Sequence, residues 1–88
     1  MNGGPGSPPM QIVPDETLDT YGLVCPMPII KAARTLRGLK VGQVLEVIST
    51  DPSIRQDMPA WCQQTGNEFL GLIEEDGEYR VYVRKLRE

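Results

Sequence analysis

The spacing of hydrophobic residues along the chain predicts four strands and two helices in the order βαβαββ. Short runs of apolar and β-branched side chains, in part alternating with polar ones, are typical of strands. The predicted strands cover residues 17–20, 44–50, 69–75 and 79–85. Asp76-Gly77 between the last two predicts a tight hairpin, because both central residues of a type I′ turn need positive φ.

The first predicted helix covers residues 26–37. Its apolar residues follow the spacing i, i+3, i+4 and i+7, which places them in one stripe along the helix. They are Ile29, Ala32, Ala33 and Leu36. Gly38 follows as a typical residue just beyond a helix. Because this helix joins the first two strands, we expect those strands to be parallel.

A second set of apolar residues at helical spacing follows the second strand, but a proline lies among them. The set is Ile54, Met58, Trp61 and Cys62. An interior proline costs about 3 kcal/mol relative to alanine, so Pro59 argues against one continuous helix. We therefore predict a turn over residues 52–56 with Asp51 as its cap, and a helix over residues 58–65 capped by Asp57.

These elements predict one domain of the α+β class over residues 15–88. The economical architecture is a two-layer α/β sandwich, with both helices on one face of a four-stranded mixed sheet. In the last strand, apolar and polar residues alternate, so the second face of the sheet should be wetter. Residues 1–14 contain four prolines and little periodicity, and we expect them to form a disordered tail.

Composition excludes several function classes. The chain has a net charge of −3, which argues against stable nucleic-acid binding. It contains no histidine, so it lacks the base of Ser-His or Cys-His catalysis and any familiar zinc pattern, and we predict no bound metal. No apolar run approaches the roughly 18 residues of a membrane span, and the N-terminus has no secretory features. We expect a cytoplasmic protein without a membrane partner.

Positive charge is concentrated on the first helix. Between Asp19 and Glu46 the chain has four basic residues and no acidic one. Three of them, Lys31, Arg34 and Arg37, lie away from the apolar stripe and are candidates for docking a protein partner. A solvated helix face explains them equally well.

The stretch Cys25-Pro26-Met27-Pro28 carries the candidate chemistry. Proline suits a first helical turn and disfavours the helical region in the residue before it, so we predict Cys25 as the helix N-cap. A helix N-terminus favours a thiolate over a thiol, which would make Cys25 a nucleophile. Pro26 and Pro28 have no amide hydrogen, so the N–H groups of Met27 and Ile29 are expected to point at the sulfur.

Other candidate residues have plain structural explanations. Cys62 lies on the apolar stripe of the second helix and is predicted to be a buried structural thiol. Asp51 and Asp57 are predicted caps, although a loop near Cys25 could also recruit them. The position of Met27 is equally consistent with a contact to a partner protein and with an exposed side chain that has no function.

Two runs of residues resemble a known family. The run Leu18-Asp19-x-x-Gly22-Leu23-x-Cys25-Pro26-x-Pro28 resembles the signature of the TusA/SirA-like sulfur-carrier family. Thr50-Asp51-Pro52, followed by Asp57-Met58-Pro59-Ala60-Trp61-Cys62, resembles its second motif. The likeness covers residues 16–86.

The resemblance implies a sulfur relay. Cys25 would accept a sulfane sulfur, as a transient persulfide, from a cysteine desulfurase or rhodanese. It would pass that sulfur to an acceptor protein in tRNA thiolation, molybdenum-cofactor supply or sulfur oxidation. Such a carrier has no resident cofactor, and it acts stoichiometrically within a relay rather than as a free-standing enzyme. Nothing in the chain indicates an obligate oligomer, so we expect a monomer.

Two other functions stay open at this point. The first is a non-catalytic RNA- or protein-binding module that uses the basic helix. The second is a thiol redox protein, which would need Cys25 and Cys62 to form a disulfide.

Overall fold

The structure, a computed structural model, describes residues 12–88, and within them it contains the six predicted elements in the predicted order. They are β1 (Glu16–Thr20), α1 (Met27–Arg37), β2 (Val44–Ser49), α2 (Ile54–Thr65), β3 (Glu68–Glu75) and β4 (Glu78–Arg84). The strands form one mixed sheet in the order β1-β2-β4-β3. β1 and β2 are parallel, and the other two pairings are antiparallel. The predicted α+β sandwich is confirmed.

The core lies between the two helices and one face of the sheet. Paired residues of the central strands, such as Val47 opposite Val81 and Leu45 opposite Val83, are fully buried on this face. The helices cover them with the buried residues Ala32, Leu36, Ile54, Met58 and Cys62. The hydrophobic stripes predicted for both helices therefore face the sheet, as expected of an amphipathic helix in a two-layer domain.

The opposite face of the sheet is partly exposed and carries a polar network at its centre. Arg80 and Arg84 keep 47% and 40% of their side chains exposed, in line with the predicted wetter face. Between β2 and β4, however, Glu46 and Tyr82 are each only 7% exposed. The Tyr82 hydroxyl donates to Glu46 Oε2 at 2.6 Å, and the Thr17 hydroxyl donates to Glu46 Oε1 at 2.9 Å. Such partners are what a buried carboxylate requires.

The second helix differs from the prediction. α2 is continuous from Ile54 to Thr65 with Pro59 inside it, and the residue before its first turn is Ser53 rather than Asp57. Pro59 is the sixth of twelve residues and deprives the helix of one amide donor, whereas a break would remove Ile54 from the stripe that it shares with Met58 and Cys62. Burial of that stripe outweighs the loss of one hydrogen bond.

The chain turns tightly between β3 and β4 and closes against the end of α1. Asp76 and Gly77 both have positive φ, 52° and 79°, which confirms the predicted hairpin. After β4, the ammonium group of Lys85 donates to the carbonyl oxygens of Arg37 at 3.2 Å and Leu39 at 2.7 Å. A cation at this position also complements the negative end of the α1 dipole.

The prediction of a tail over residues 1–14 falls mainly outside the described residues and stays a prediction. Within residues 12–88, no helix is long and apolar enough to cross a bilayer.

Candidate functional site

Cys25 lies on the loop that joins β1 to α1, at the carboxyl edge of the parallel strand pair. Its side chain is exposed, as the sequence motif predicts. The loop is tied to the neighbouring strand: the Gly22 amide, at a φ of 79°, donates to the Thr50 hydroxyl at 3.0 Å. The Leu23 amide donates to the Thr20 carbonyl at 3.0 Å. These bonds fix the cysteine at an edge where α/β sheets commonly place their sites.

The carboxylate of Asp51 positions the backbone of Cys25. Its Oδ2 accepts a hydrogen bond from the Cys25 amide at 2.6 Å, and its Oδ1 accepts one from the Ser53 amide at 3.0 Å. These two backbone hydrogen bonds, with that of Ser53 the stronger cause, lower the pKa of Asp51 below its usual value. Asp51 thus caps the turn before α2, as predicted, and also holds the cysteine loop.

The start of α1 differs from the prediction by one residue. Pro26, with φ −100° and ψ 14°, is the N-cap residue, and Cys25 precedes it outside the helix. The Met27 amide donates to the Val24 carbonyl at 2.9 Å, so it does not point at the sulfur. The residue before a proline avoids helical angles, and here that restriction leaves Cys25 in the loop.

A small crevice beside the sulfur brings together residues from α1, the β2–α2 connection and α2. Its lining consists of Cys25, Pro28, Ile29, Asp51, Ser53, Ile54 and Asp57. Pro28 is buried and Ile29 packs against the core, so the first turn of α1 forms an apolar wall of the crevice. The two aspartates form the polar side. Asp57, predicted as a helix cap, instead lies in the first turn of α2, with its side chain next to the cysteine.

This environment contradicts the expectation that the resting cysteine is held as a thiolate. The pKa of the Cys25 thiol is raised above its ordinary value. The main cause is hydrogen bonding of the thiol to the Asp57 carboxylate, followed by desolvation and by the negative charges of Asp57 and Asp51; the Ser53 side chain acts in the opposite direction. Negative charges close to a thiol disfavour its ionised form.

Cys62 is buried, as predicted. It is 1% exposed within the core, and burial raises the pKa of its thiol to about 11. The structure has both cysteines as free thiols, one exposed and one buried. A disulfide would require Cys62 to leave the core, so the geometry does not support the thiol redox interpretation.

The outer face of α1 continues the surface that begins at the cysteine. Val24, Met27 and Ile30 are exposed apolar residues, at 66%, 38% and 37%. Arg34 and Arg37 are exposed further along the helix, while Lys31 is half-buried. Apolar and basic side chains thus follow one another on one side of Cys25, with the two aspartates beside the cysteine in the crevice.

Comparison with known proteins identifies the family. The family model described as Sulfurtransferase TusA matches residues 16–85. The chain belongs to the TusA family. The matched residues include every strand and helix of the fold, from the start of β1 to the end of β4.

Individual relatives agree with this assignment. The sulfur carrier protein TusA of Allochromatium vinosum is 45% identical over 71 residues, which cover 81% of this chain and 93% of that protein. TusA of Pseudomonas entomophila is 46% identical over 74 residues, covering 84% and 92%. An Aquifex aeolicus relative is 45% identical over 74 residues, but the chain spans only 38% of its length.

A solved structure has the same fold. The SirA-like protein from Desulfitobacterium hafniense aligns with a TM-score of 0.71 at 28% identity, covering 82% of this chain and 99% of that one. Among residues 12–88, no group of three or more His, Cys, Asp or Glu side chains is arranged to hold a metal ion.

Proposed function

We propose that the protein is a sulfur carrier that accepts a sulfane sulfur on Cys25 and relays it to an acceptor. Membership of the TusA family and the names of its close relatives support the carrier role. The observation that carries the assignment to one residue is the contrast between the two thiols. Cys25 is exposed and held at a loop edge, whereas Cys62 is buried in the core.

The chemistry is attack by the Cys25 sulfur, after loss of its proton, on the outer sulfur of a donor persulfide. The Cys25 sulfur forms a bond to that sulfur, the donor S–S bond breaks, and the donor cysteine leaves as a thiolate. Cys25 then carries the persulfide until an acceptor thiolate attacks it in the same manner. Each transfer exchanges one S–S bond for another, so no external oxidant or metal is required.

The separation of the two cysteines suits a carrier. A second thiol close to Cys25 would attack the persulfide and discharge it as an intramolecular disulfide. Cys62 is 1% exposed and packed among the residues of the core. The sulfur on Cys25 therefore leaves the protein by way of a partner.

Donor and acceptor proteins are expected to dock on the outer face of α1. The exposed apolar residues Val24, Met27 and Ile30 lie nearest the cysteine, and Arg34 and Arg37 extend this surface. Buried apolar contacts surrounded by charged ones are the usual composition of an interface. We propose a cysteine desulfurase or rhodanese as donor and a cytoplasmic thiol protein as acceptor.

Intact-mass analysis tests the loading step. The reduced protein is incubated with cysteine and a cysteine desulfurase, and the sample is measured before and after treatment with a reductant. We expect a gain of one sulfur that the reductant removes. Cys62→Ser, which removes the other thiol, is the matched control. It should load normally, because it leaves Cys25 in place.

Cys25→Ser should gain no sulfur. A Cys25→Ser protein that still loads would contradict the assignment. An unloaded wild type would contradict the desulfurase as donor, and a persulfidated rhodanese then replaces it in the same assay. Failure with both donors would favour the binding-module interpretation.

A further inference from the structure

Asp57 lines the crevice beside the reacting sulfur of Cys25. We propose that Asp57 is the proton acceptor for Cys25: it takes the thiol proton as Cys25 attacks the donor persulfide. This inference rests on the proposed function and assigns a further residue to the same site.

The geometry distinguishes Asp57 from the other carboxylate in the crevice. Both oxygens of Asp51 are occupied by backbone amides, those of Cys25 and Ser53, at 2.6 and 3.0 Å. Asp57 belongs to none of the ion pairs within residues 12–88. Its side chain lines the same crevice as Cys25, from the first turn of α2. Asp51 thus positions the cysteine, and Asp57 is placed to move its proton.

The surroundings favour a carboxylate base. The chain contains no histidine, so the usual base for a thiol nucleophile is absent. Asp57 comes from a different element, the first turn of α2, and lines the same crevice as the cysteine. Pro28 and Ile29 form the apolar wall of this crevice.

The proposed step balances in atoms and electrons. The proton passes from Cys25 Sγ to an Asp57 carboxylate oxygen while the sulfur electrons form a bond to the outer sulfur of the donor persulfide. The donor S–S bond breaks, and its electron pair stays on the donor cysteine as a thiolate. Protonated Asp57 then returns the proton to that thiolate and becomes a carboxylate again. The Cys25 sulfur is oxidised and the donor cysteine sulfur is reduced by the same amount.

The test measures ionisation and sulfur uptake separately in Asp57→Asn. The ionisation of Cys25 is followed by ultraviolet thiolate absorbance, as the difference between each protein and its own Cys25→Ser counterpart. Uptake is followed by intact mass after mixing with glutathione persulfide near neutral pH. Asparagine has nearly the same shape but cannot accept the proton. Glu16→Gln, an exposed charge change at the start of β1, is the matched control.

The proposal predicts that the two measurements move in opposite directions. Loss of the Asp57 charge makes the Cys25 thiol ionise at lower pH. Loss of the base nevertheless slows sulfur uptake, on the order of 100-fold, within the range typical of a general base. Glu16→Gln should leave both unchanged. Asp57→Glu, which keeps a carboxylate, should load faster than Asp57→Asn.

Other outcomes overturn the proposal in distinguishable ways. Equal or faster uptake by Asp57→Asn would make Asp57 an electrostatic brake on Cys25 and refute its role as a base. If the wild type itself takes up no sulfur, the proposed function fails and the inference fails with it. Circular dichroism checks folding, and if Asp57→Asn is unfolded, Asp57→Ser provides the same comparison.

Discussion

Replacing Tyr82 with phenylalanine should destabilise the protein, because it deletes one hydrogen bond to a nearly buried carboxylate. The Tyr82 hydroxyl donates to Glu46 at 2.6 Å, and each residue is 7% exposed. A hydrogen bond to a charged group contributes about 1.5–3 kcal/mol net. Glu46 keeps its bond from Thr17 at 2.9 Å and its ion pair with Arg80 at 3.7 Å, so no unpaired charge is left behind. We expect a loss of about 2 kcal/mol.

The same contact makes the difference between wild type and Tyr82→Phe depend on pH. Desolvation, and then the hydrogen bond to Glu46, raise the pKa of Tyr82 to about 12. Because the folded state holds the proton more tightly than the unfolded state, this stabilisation is complete below about pH 10. It is lost as the pH rises through about 12.

Urea denaturation followed by the fluorescence of Trp61, the single tryptophan, measures this effect. The free energy of unfolding is compared between wild type and Tyr82→Phe at about pH 8 and then up to about pH 12. Tyr21→Phe is the matched control, because Tyr21 is 62% exposed. Equal stability at the lower pH, or a difference that does not shrink above about pH 10, would refute the reasoning.

Three further predictions concern the ends of α1, the core and the cysteine loop. Lys85→Met should cost about 1.5–3 kcal/mol, because it removes the charged donor of two carbonyls at the end of α1; equal urea midpoints would contradict this. Met58→Ala, at a fully buried position, should cost about 2–5 kcal/mol in the same assay. The amide proton resonance of Cys25 should follow the ionisation of Asp51, with a midpoint below the ordinary value of about 3.9. Acidification thereby weakens the bond that holds the loop, and a midpoint at or above the ordinary value would contradict the contact.

Element order and strand positions could be predicted because they depend on local patterns. Each strand boundary lies within a residue or so of its prediction, since alternation and turn residues are read directly from the chain. The continuity of α2 could not be predicted in this way. Pro59 is a local signal for a break, whereas the burial of Ile54 with Met58 is a tertiary gain that appears only when α2 packs on the sheet.

The candidate site was predictable in its nucleophile but not in its electrostatics. The motif around Cys25 indicates an exposed thiol at a helix start, and the structure places it there. Its charged neighbours come from elsewhere in the sequence: Asp51 lies 26 residues further along, and Asp57 lies beyond it in α2. The second sequence motif contains both aspartates, and it was the available signal that they belong to the site. That they raise the pKa of the thiol follows only from the packing of α2 beside the loop.

Peptide mapping of the sulfur-loaded wild type tests the central claim most directly. The loaded protein is digested without reductant, and tandem mass spectrometry locates the added sulfur on the peptide that carries Cys25 or on the one that carries Cys62. The account predicts one extra sulfur on Cys25 and none on Cys62. An extra sulfur on Cys62, or a disulfide that joins the two peptides, would contradict it.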